Sequence, residues 1–354
     1  MTSPKKPTLL YVGRSIQQKS PLWTRIQESC NILVNDLDSD SEMLVAFAPG
    51  GKYSNIDGIL RPNTSDSYKL PALTKEVIAQ LPPSLKIISS ANHGYDVEDT
   101  DELARRGIWY CNGAGGANDS TADLAVFLII AAFRFTSYCE NELRTTRQGN
   151  FYAIEEATFR AAKNPRNHIL GVIGMGEVGI ATSRRAVSLG MSIHYHGRRR
   201  KSPAVEESLG AGPVTYHEEL ESLLKVADCV LLACPHTPET HHILNKETFG
   251  LMKRGVRVIN VGRGKCIDEE ALADAIDDGI VGGVGLDVYH DEPVVNPRLL
   301  DNWRITLTPH MGGGSYDTLT NFERIALENI ESYFLGNGKP LTPVNNVNEP
   351  PSAQ

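Results

Sequence analysis

The chain has 354 residues, of which 41% are hydrophobic and 22% are charged, a composition typical of packed globular domains, about two of them at roughly 150 residues each. Asp and Glu number 43 against 35 Lys and Arg, a formal net charge of −8, which disfavours a general nucleic-acid-binding protein because such a protein needs a basic face. The longest apolar run, residues 124–133, is about half of the roughly 20 residues that a membrane span requires.

The start of the sequence and its cysteines both favour a cytoplasmic protein. Residues 1–13 contain no secretory hydrophobic region and no cleavage site. The six cysteines form no CxxC pair and show no disulfide-framework spacing. We therefore expect reduced, packed cysteines, no metal site, and neither a membrane nor a nucleic acid as a partner.

The first part of the sequence alternates between predicted strands and predicted helices. Apolar runs of strand length lie at residues 9–13, 43–48, 56–61 and 85–91. Helix-like segments between them lie at residues 21–30 and 73–81. Strands that alternate with helices predict a parallel sheet covered on both faces.

A long apolar helix is predicted for residues 121–143, after a turn-rich segment at 112–120. Asp119 and Ser120 are both suitable N-cap residues for this helix. Its apolar residues face too many sides for a helix on the surface of a monomer. It is therefore either a core helix or a helix buried in a subunit interface.

A second alternating series follows. Its predicted strands lie at residues 168–176, 192–197, 229–234, 256–262, 281–288 and 305–310. Helices fit between them, for example at residues 178–190 and 269–279, and a last amphipathic helix at 318–340 is ended by Gly336 and Gly338. The sequence therefore predicts two α/β units in series, each with a doubly wound parallel sheet.

Gly174, Gly176 and Gly179 form a GxGxxG motif between a predicted strand and a predicted helix. In this motif the first glycine permits a tight turn, the second lets the backbone approach a pyrophosphate, and the third lets the helix pack closely on the strand. The phosphates then lie at the helix N-terminus, where free N–H groups point outward. The motif therefore predicts a dinucleotide-binding site.

The residues after the next strand distinguish NAD from NADP. An NAD site usually has Asp or Glu about 20 residues after the glycines, to accept a hydrogen bond from the ribose 2′-hydroxyl. Gly197 occupies that place here, and residues 198–201, which we name the basic turn, are Arg, Arg, Arg and Lys. A short basic run is often only a solvated turn, but guanidinium groups at this strand end would bind a 2′-phosphate. We therefore predict a preference for NADPH, with Arg198 and Arg199 at the phosphate.

Three later segments, at residues 259–272, 285–293 and 307–315, each follow a predicted strand. They therefore lie at the carboxyl ends of strands, where open α/β sheets bind ligands. From about residue 56 to residue 342 the sequence resembles the D-isomer-specific 2-hydroxyacid dehydrogenase family. It carries, in the family's order, GYD, DELARRGIWYCN, TADLA, GMGEVG, PHTPETHHIL, NVGRG, GLDV, DEP and TPHMGG. Within the family it is most similar to fungal D-mandelate dehydrogenases and NADPH-dependent 2-keto acid reductases.

The resemblance implies three catalytic residues. Arg263, in NVGRG, matches the family's substrate-binding arginine, which can hold the carboxylate of a 2-keto acid and polarise its keto oxygen. His310, in TPHMGG, matches the acid–base residue that protonates this oxygen during reduction. Glu292, in DEP, matches the carboxylate that pairs with the histidine, orients its ring and favours its protonated form.

The resemblance also implies further binding residues. The loop that contains Asn92, His93 and Gly94 matches one that holds the substrate carboxylate, together with Arg263 and His310. Asp287 matches a residue that meets the nicotinamide carboxamide, and Cys234 and Pro235 match the loop along the cofactor ribose, where we expect no nucleophilic role for Cys234. The other residues expected at the cofactor are Met175, Glu177, Val178, Gly197, Thr240, Val261, Gly262, Gly312 and Gly313.

From this resemblance we expect two Rossmann-like domains with the active site in a cleft between them. Residues 119–318 would form the dinucleotide-binding domain, and residues 1–118 with 319–354 the substrate-binding domain. The implied activity is NADPH-dependent reduction of 2-keto acids, bulky or aromatic ones such as benzoylformate, to D-2-hydroxy acids by a homodimer. Two alternatives remain: a glyoxylate/hydroxypyruvate-type reductase, and a non-catalytic, dinucleotide-sensing protein like the corepressors of this superfamily.

Overall fold

A computed structural model describes residues 5–13, 20–61, 70–146, 151–210 and 212–347. The chain divides into two compact units. Unit 1 consists of residues 1–117 and 315–354, and unit 2 consists of residues 118–314. Each unit contains one sheet in which every strand pairing is parallel. The predicted fold class, two parallel-sheet α/β domains, is therefore confirmed.

Strands and helices alternate along most of the chain. The described strands are β1 (Thr8–Tyr11), β2 (Asn31–Val34), β3 (Gly58–Arg61), β4 (Ile87–Ser90), β5 (Trp109–Cys111), β6 (Ile169–Ile173), β7 (Ser192–His196), β8 (Thr215–His217), β9 (Cys229–Leu232), β10 (Val256–Asn260), β11 (Val281–Leu286) and β12 (Ile305–Leu307). The described helices are α1 (Pro21–Ser29), α2 (Asp40–Phe47), α3 (Lys75–Ile78), α4 (Thr100–Arg105), α5 (Asn118–Arg134), α6 (Thr136–Thr146), α7 (Phe151–Phe159), α8 (Glu177–Ser188), α9 (Pro203–Glu207), α10 (Leu220–Leu224), α11 (Lys246–Gly250), α12 (Glu269–Asp277), α13 (Pro297–Leu300) and α14 (Tyr316–Leu335).

The sheet of unit 1 has the strand order β2-β1-β3-β4-β5. Successive residues of a strand point to opposite faces, and in β1 both faces are buried: Leu9 belongs to one apolar cluster and Leu10 to another. Helix α14 returns to this unit and contributes Phe322 and Ile330 to the cluster around Leu9. Its last residue is Leu335 and its C-cap is Gly336, one of the two glycines predicted to end this helix.

One predicted strand of unit 1 is wrong. Residues 43–48 lie in helix α2 and at its C-cap, not in a strand. Ser39 caps α2 by accepting a hydrogen bond from the Glu42 N–H, and Met43, Ala46 and Phe47 are its buried residues. Their spacing of three and four residues is that of one helix face, so the apolar run has helical periodicity despite its strand-like length.

The sheet of unit 2 has the strand order β12-β11-β10-β9-β6-β7-β8. Strand β6 pairs with β7 on one side and with β9 on the other, so the direction in which the sheet grows reverses there. In open α/β sheets, the crevice at the carboxyl ends of the strands beside such a reversal is the usual ligand site. The GxGxxG motif follows β6, and Cys234 follows β9.

The long helix predicted for residues 121–143 is broken. It forms α5 and α6, which are bent by 73° around Phe135, a residue with a φ of 55°. Asp119 and Ser120 are not N-caps, because α5 already begins at Asn118. Within the described part of the chain no single helix has the length and apolarity to cross a bilayer, and only the bent pair of α5 and α6 meets that test together.

Candidate active site

The glycine-rich loop joins β6 to α8 in unit 2. Gly174 has a φ of 95°, which favours glycine, and a Cβ on it would lie 2.7 Å from the backbone N of Cys234. A Cβ on Gly179 would collide with the carbonyl oxygen of Gly174, so this helix residue packs directly against the turn. A Cβ on Gly176, the N-cap of α8, would have no described atom within 4 Å. The loop is therefore crowded at the first and third glycines and open at the second.

This open space fits a phosphate group. It lies at the first turn of α8, a helix of 12 residues, whose N-terminal N–H groups have no intrahelical acceptors. Of the other predicted residues here, Met175 is buried in the core, and Glu177 and Val178 begin the helix. The donors and the space at this loop thus suit the pyrophosphate of a dinucleotide.

The basic turn follows β7. Arg200 donates two hydrogen bonds to the Glu206 carboxylate, at 3.0 and 2.9 Å, and this pairing lowers the pKa of Glu206. The side chains of Arg198 and Arg199 are exposed, and neither has a hydrogen-bond or ion-pair partner among the residues that the structure describes. The two arginines expected at the 2′-phosphate are therefore available, whereas their neighbour Arg200 is engaged.

The segment after β9 packs on the glycine-rich loop. Thr240 Oγ1 accepts a hydrogen bond from the Thr237 N–H and donates one to the Pro235 carbonyl, both at 2.7 Å, which closes the loop from Pro235 to Thr240. The Sγ of Cys234 donates to the Sγ of Cys266 at 4.0 Å. This contact and burial raise the pKa of the Cys234 thiol, so the thiol stays protonated and is a poor nucleophile.

His310 and Glu292 are in direct contact. His310 Nδ1 and Glu292 Oε2 are 2.7 Å apart, and the second oxygen, Glu292 Oε1, accepts a hydrogen bond from the Tyr289 N–H at 3.0 Å. Half of the His310 side chain is exposed, so the rest of the ring can meet a ligand. His310 has a φ of 50°, a left-handed conformation that costs about 1–3 kcal/mol outside glycine. Such strain is frequent at functional sites.

Asp287 lies beneath the segment that carries His310. Its carboxylate is almost fully buried and accepts hydrogen bonds from Thr308 Oγ1 at 2.6 Å and from the N–H groups of Met311 and Gly312, each at 2.8 Å. The Asp287 carbonyl also accepts the His310 N–H at 2.8 Å. Asp287 thus fixes the backbone around His310, a role that sequence reasoning missed because its side-chain partners lie more than 20 residues further along the chain.

Arg263 is the third residue after β10. The buried side chain of Asn260 holds this segment: its Nδ2 donates to the Arg263 carbonyl at 2.9 Å, and its Oδ1 accepts the Gly262 N–H at 3.0 Å. A Cβ on Gly264 would collide with the carbonyl of Tyr289, so this segment packs on the one that leads to Glu292. Val261 and Gly262, also expected at the cofactor, are both buried.

The three predicted catalytic residues thus follow three adjacent strands. Arg263, Glu292 and His310 lie after β10, β11 and β12, which are neighbours in the sheet. Gly313 follows directly after the Gly312 that Asp287 holds. A cation, a carboxylate and an imidazole at one sheet edge can bind a carboxylate and move a proton at a neighbouring oxygen.

The predicted substrate loop is in unit 1, after β4. Its backbone is held by two hydrogen bonds: the Gly113 N–H donates to the Asn92 carbonyl at 2.6 Å, and Asn112 Nδ2 donates to the His93 carbonyl at 2.8 Å. The Asn92 Oδ1 atom is buried and has no hydrogen-bond partner among the described residues. A buried polar atom of this kind usually has a partner. Gly94 follows in the same loop.

The chain is similar to known 2-hydroxyacid dehydrogenases and 2-keto acid reductases. Residues 126–312 match the family model of the D-isomer specific 2-hydroxyacid dehydrogenase, NAD binding domain. The chain is 36% identical over 292 residues to 4-methyl-2-oxopentanoate reductase A of Aspergillus oryzae, with 82% of this chain and 84% of the relative covered. It is also 36% identical over 272 residues to the dehydrogenase efuE of Hormonema carpetanum, covering 77% of this chain but only 65% of the relative.

A solved structure extends the likeness to almost the whole chain. The holo form of Rhodotorula graminis D-mandelate dehydrogenase superposes with a TM-score of 0.90. The alignment covers 96% of this chain and 97% of that one at 31% sequence identity.

Proposed function

The chain belongs to the D-isomer-specific 2-hydroxyacid dehydrogenase family, and on that premise we propose that it reduces 2-keto acids to D-2-hydroxy acids with NADPH and catalyses the reverse oxidation. The observation that carries the proposal is the 2.7 Å contact between His310 and Glu292, at the carboxyl edge of a sheet that also holds Arg263 and the glycine-rich loop. This combination supplies an acid, an anion-binding cation and a dinucleotide site in one unit.

Each catalytic side chain has one task in this proposal. When bound, NADPH supplies the hydride that reduces the keto carbon. Arg263 binds the substrate carboxylate and polarises the keto oxygen through its guanidinium group. His310 donates a proton to that oxygen from its Nε2, since its Nδ1 faces Glu292. Glu292 fixes the orientation of the ring through its contact with Nδ1.

The other proposed contacts rest on the local geometry. Gly176 leaves room for the pyrophosphate at the start of α8. Cys234 and Pro235 would border the cofactor ribose, because Cys234 packs on Gly174. Asn92, whose buried Oδ1 atom lacks a described partner, is proposed to meet the substrate with His93 and Gly94.

The residues immediately after β7 support the preference for NADPH. Gly197 stands where an NAD enzyme has a carboxylate, and the exposed Arg198 and Arg199 can pair with a 2′-phosphate. The four basic residues counted in the sequence are not equivalent, since Arg200 is paired with Glu206. The proposal therefore assigns phosphate recognition to Arg198 and Arg199.

The proposed substrates are 2-keto acids with a bulky or aromatic side chain. The similar proteins named above include a mandelate dehydrogenase and a 4-methyl-2-oxopentanoate reductase, both named for substrates larger than glyoxylate. A glyoxylate/hydroxypyruvate-type reductase is the alternative.

One experiment tests the activity, the substrate class and the cofactor together. The loss of reduced cofactor is followed at 340 nm with benzoylformate, phenylpyruvate, 4-methyl-2-oxopentanoate, hydroxypyruvate and glyoxylate, each with NADPH and with NADH. We expect the highest kcat/KM for a bulky keto acid with NADPH. Highest activity with glyoxylate would support the alternative substrate, equal use of NADH would contradict the cofactor assignment, and no turnover with any acid would favour a non-catalytic binding protein.

We also propose a homodimer formed through the segment that contains α5, α6 and α7. This segment exposes large apolar side chains: Phe127 is 45% exposed, Phe151 66% and Phe159 70%. Large exposed apolar side chains that occur together in one segment are typical of an interface, and a second copy of the chain is the proposed partner. Light scattering coupled to size-exclusion chromatography would report twice the 38.8 kDa chain mass.

A cytoplasmic location stays a prediction, which microscopy of the tagged protein would test.

A further inference from the structure

The backbone on both sides of the basic turn is tied to a pair of tyrosines. We propose that Tyr195, Tyr216 and Glu206 are positioning residues for cofactor selection, which hold the basic turn so that Arg198 and Arg199 can bind a 2′-phosphate. The inference rests on the proposed preference for NADPH.

The two tyrosines lie side by side on neighbouring strands. Tyr195 on β7 is the strand partner of Tyr216 on β8, and their ring centroids are 5.2 Å apart. The Tyr216 hydroxyl donates to the carbonyl of Gly197 at 3.1 Å, just before the turn. The backbone N–H of Lys201 donates to the Tyr195 hydroxyl at 2.8 Å, at the end of the turn. One hydroxyl therefore fixes each end of the segment from Gly197 to Lys201.

Glu206 binds the side chain of Arg200, next to the end of the same segment. The carboxylate accepts a hydrogen bond from the Tyr195 hydroxyl at 2.7 Å and two from the guanidinium of Arg200, at 3.0 and 2.9 Å. The side chain of Glu206 is only 12% exposed, whereas that of Arg200 is 62% exposed. A carboxylate this close to the turn would repel a phosphate, and the bidentate pairing with Arg200 neutralises it. Arg200 is therefore occupied in holding the turn itself.

The protonation states of this network suit a permanent arrangement. Burial raises the pKa of Tyr195 to about 12, so its hydroxyl keeps the proton that it donates to Glu206. The hydrogen bond from Arg200 lowers the pKa of Glu206, so Glu206 stays ionised as an acceptor at neutral pH. The network thus needs no change of charge when a cofactor binds.

A fixed turn matters for a ligand that differs from its competitor by one phosphate. NADPH and NADH share every other group, so the contacts of Arg198 and Arg199 alone would separate them. Two guanidinium groups on a mobile turn lose conformational entropy when they converge on one phosphate, whereas groups on a held turn lose less. Loosening the turn should therefore weaken binding of the 2′-phosphate and leave the shared part of the cofactor unaffected.

The test uses Tyr195→Phe, Tyr216→Phe and the double variant of the full chain. These changes remove a hydroxyl and alter no charge. Isothermal titration calorimetry measures the binding of adenosine 2′,5′-bisphosphate, which carries the extra phosphate, and of adenosine 5′-monophosphate, which lacks it. We expect each single variant to bind the bisphosphate about threefold to tenfold more weakly, with unchanged binding of the monophosphate. KM for NADPH should rise by a similar factor, with KM for NADH and kcat unchanged.

Tyr53→Phe is the matched control. Tyr53 is a buried tyrosine of unit 1 whose hydroxyl donates to Asp36 at 3.1 Å, so this variant loses a comparable hydrogen bond without touching the turn. It should bind both nucleotides as the wild type does. Thermal unfolding of all variants shows whether each one is folded at the temperature of the titration.

Glu206→Ala tests the assignment of Arg200. If Arg200 only positions the turn, this variant also binds the bisphosphate more weakly. Tighter binding would mean that the released Arg200 acts as a phosphate ligand, and this would overturn the inference, as would equal weakening of both nucleotides or no change in the tyrosine variants. A wild-type protein that binds both nucleotides equally would instead overturn the NADPH proposal, and this inference with it.

Discussion

Adding one methyl group at two positions of the glycine-rich loop should have opposite consequences. Gly174 has a φ of 95°, and a Cβ there would lie 2.7 Å from the backbone N of Cys234. Gly176 has a φ of −80° and a ψ of −166°, which any residue can adopt, and a Cβ there has no described atom within 4 Å. The same methyl group is therefore in steric conflict with the backbone at Gly174 and fits without conflict at Gly176.

The magnitudes differ because these two environments differ. For Gly174→Ala the disfavoured backbone conformation costs about 1–3 kcal/mol, and the displacement of a packed backbone costs about 1–3 kcal/mol more. For Gly176→Ala the reduced freedom of the unfolded chain stabilises by about 0.4–1 kcal/mol, and a poorer N-cap offsets this by several tenths. Gly174→Ala should thus lower stability by about 2–6 kcal/mol, and Gly176→Ala should be close to neutral.

Gly176→Ala should weaken cofactor binding although it leaves stability nearly unchanged. Its new methyl group occupies the space where the pyrophosphate would approach the backbone, and a steric conflict of about 1–3 kcal/mol weakens binding by roughly fivefold to 150-fold. Thermal unfolding measured by circular dichroism gives the stability, and a fluorescence titration with NADPH gives the Kd. Wild-type NADPH affinity in a folded Gly176→Ala variant would refute the assigned position of the pyrophosphate, and an unchanged Tm in Gly174→Ala would refute the steric argument.

Three further predictions concern His310, Asp287 and the cysteine thiols. His310→Ala should lower kcat by about 10²–10⁴-fold with nearly unchanged NADPH binding, measured by steady-state kinetics and titration; lost binding would contradict its role as the acid. Asp287→Asn should destabilise the protein by about 1–3 kcal/mol in denaturant titrations, because one of its hydrogen-bonded N–H or O–H partners would then face an NH₂ group; an equally stable variant would argue against its hold on the His310 segment. In native protein a thiol reagent should react slowly at the five buried cysteines, which are Cys30, Cys111, Cys229, Cys234 and Cys266; fast reaction at Cys234, whose thiol has a raised pKa, would contradict the packing described for it.

The sequence was sufficient to predict the fold class because its strands are separated by recognisable helices and turns. The prediction failed at residues 43–48, where a short apolar run fits a strand and a helix face equally well until its neighbours are known. It also missed strands β2, β5 and β8, which have four residues or fewer. No glycine or proline lies next to Phe135, so the local sequence did not indicate that the helix breaks there.

The candidate site could be predicted at the residues that carry chemistry and not at those that hold them. A histidine, an arginine and a glycine motif are recognisable by residue type and order. The supports are not: Asp287 reaches Thr308 and Gly312 across more than 20 residues, and Tyr216 reaches back 19 residues to Gly197. Likewise, the sequence counts four cations in the basic turn, but only the fold shows that Glu206 occupies one of them.

The division of unit 1 into two stretches of chain has a consequence for biosynthesis. Unit 2 is continuous, whereas the apolar cluster around Leu9 and Trp109 is completed only by α14, which is synthesised after all of unit 2. On the ribosome, the earlier part of unit 1 must therefore wait with one face of its sheet covered only in part, by α1, while unit 2 has its whole sequence available to fold. The unit that is translated first is therefore completed last, and its apolar residues around Leu9 and Trp109 stay open to aggregation until Phe322 and Ile330 have emerged.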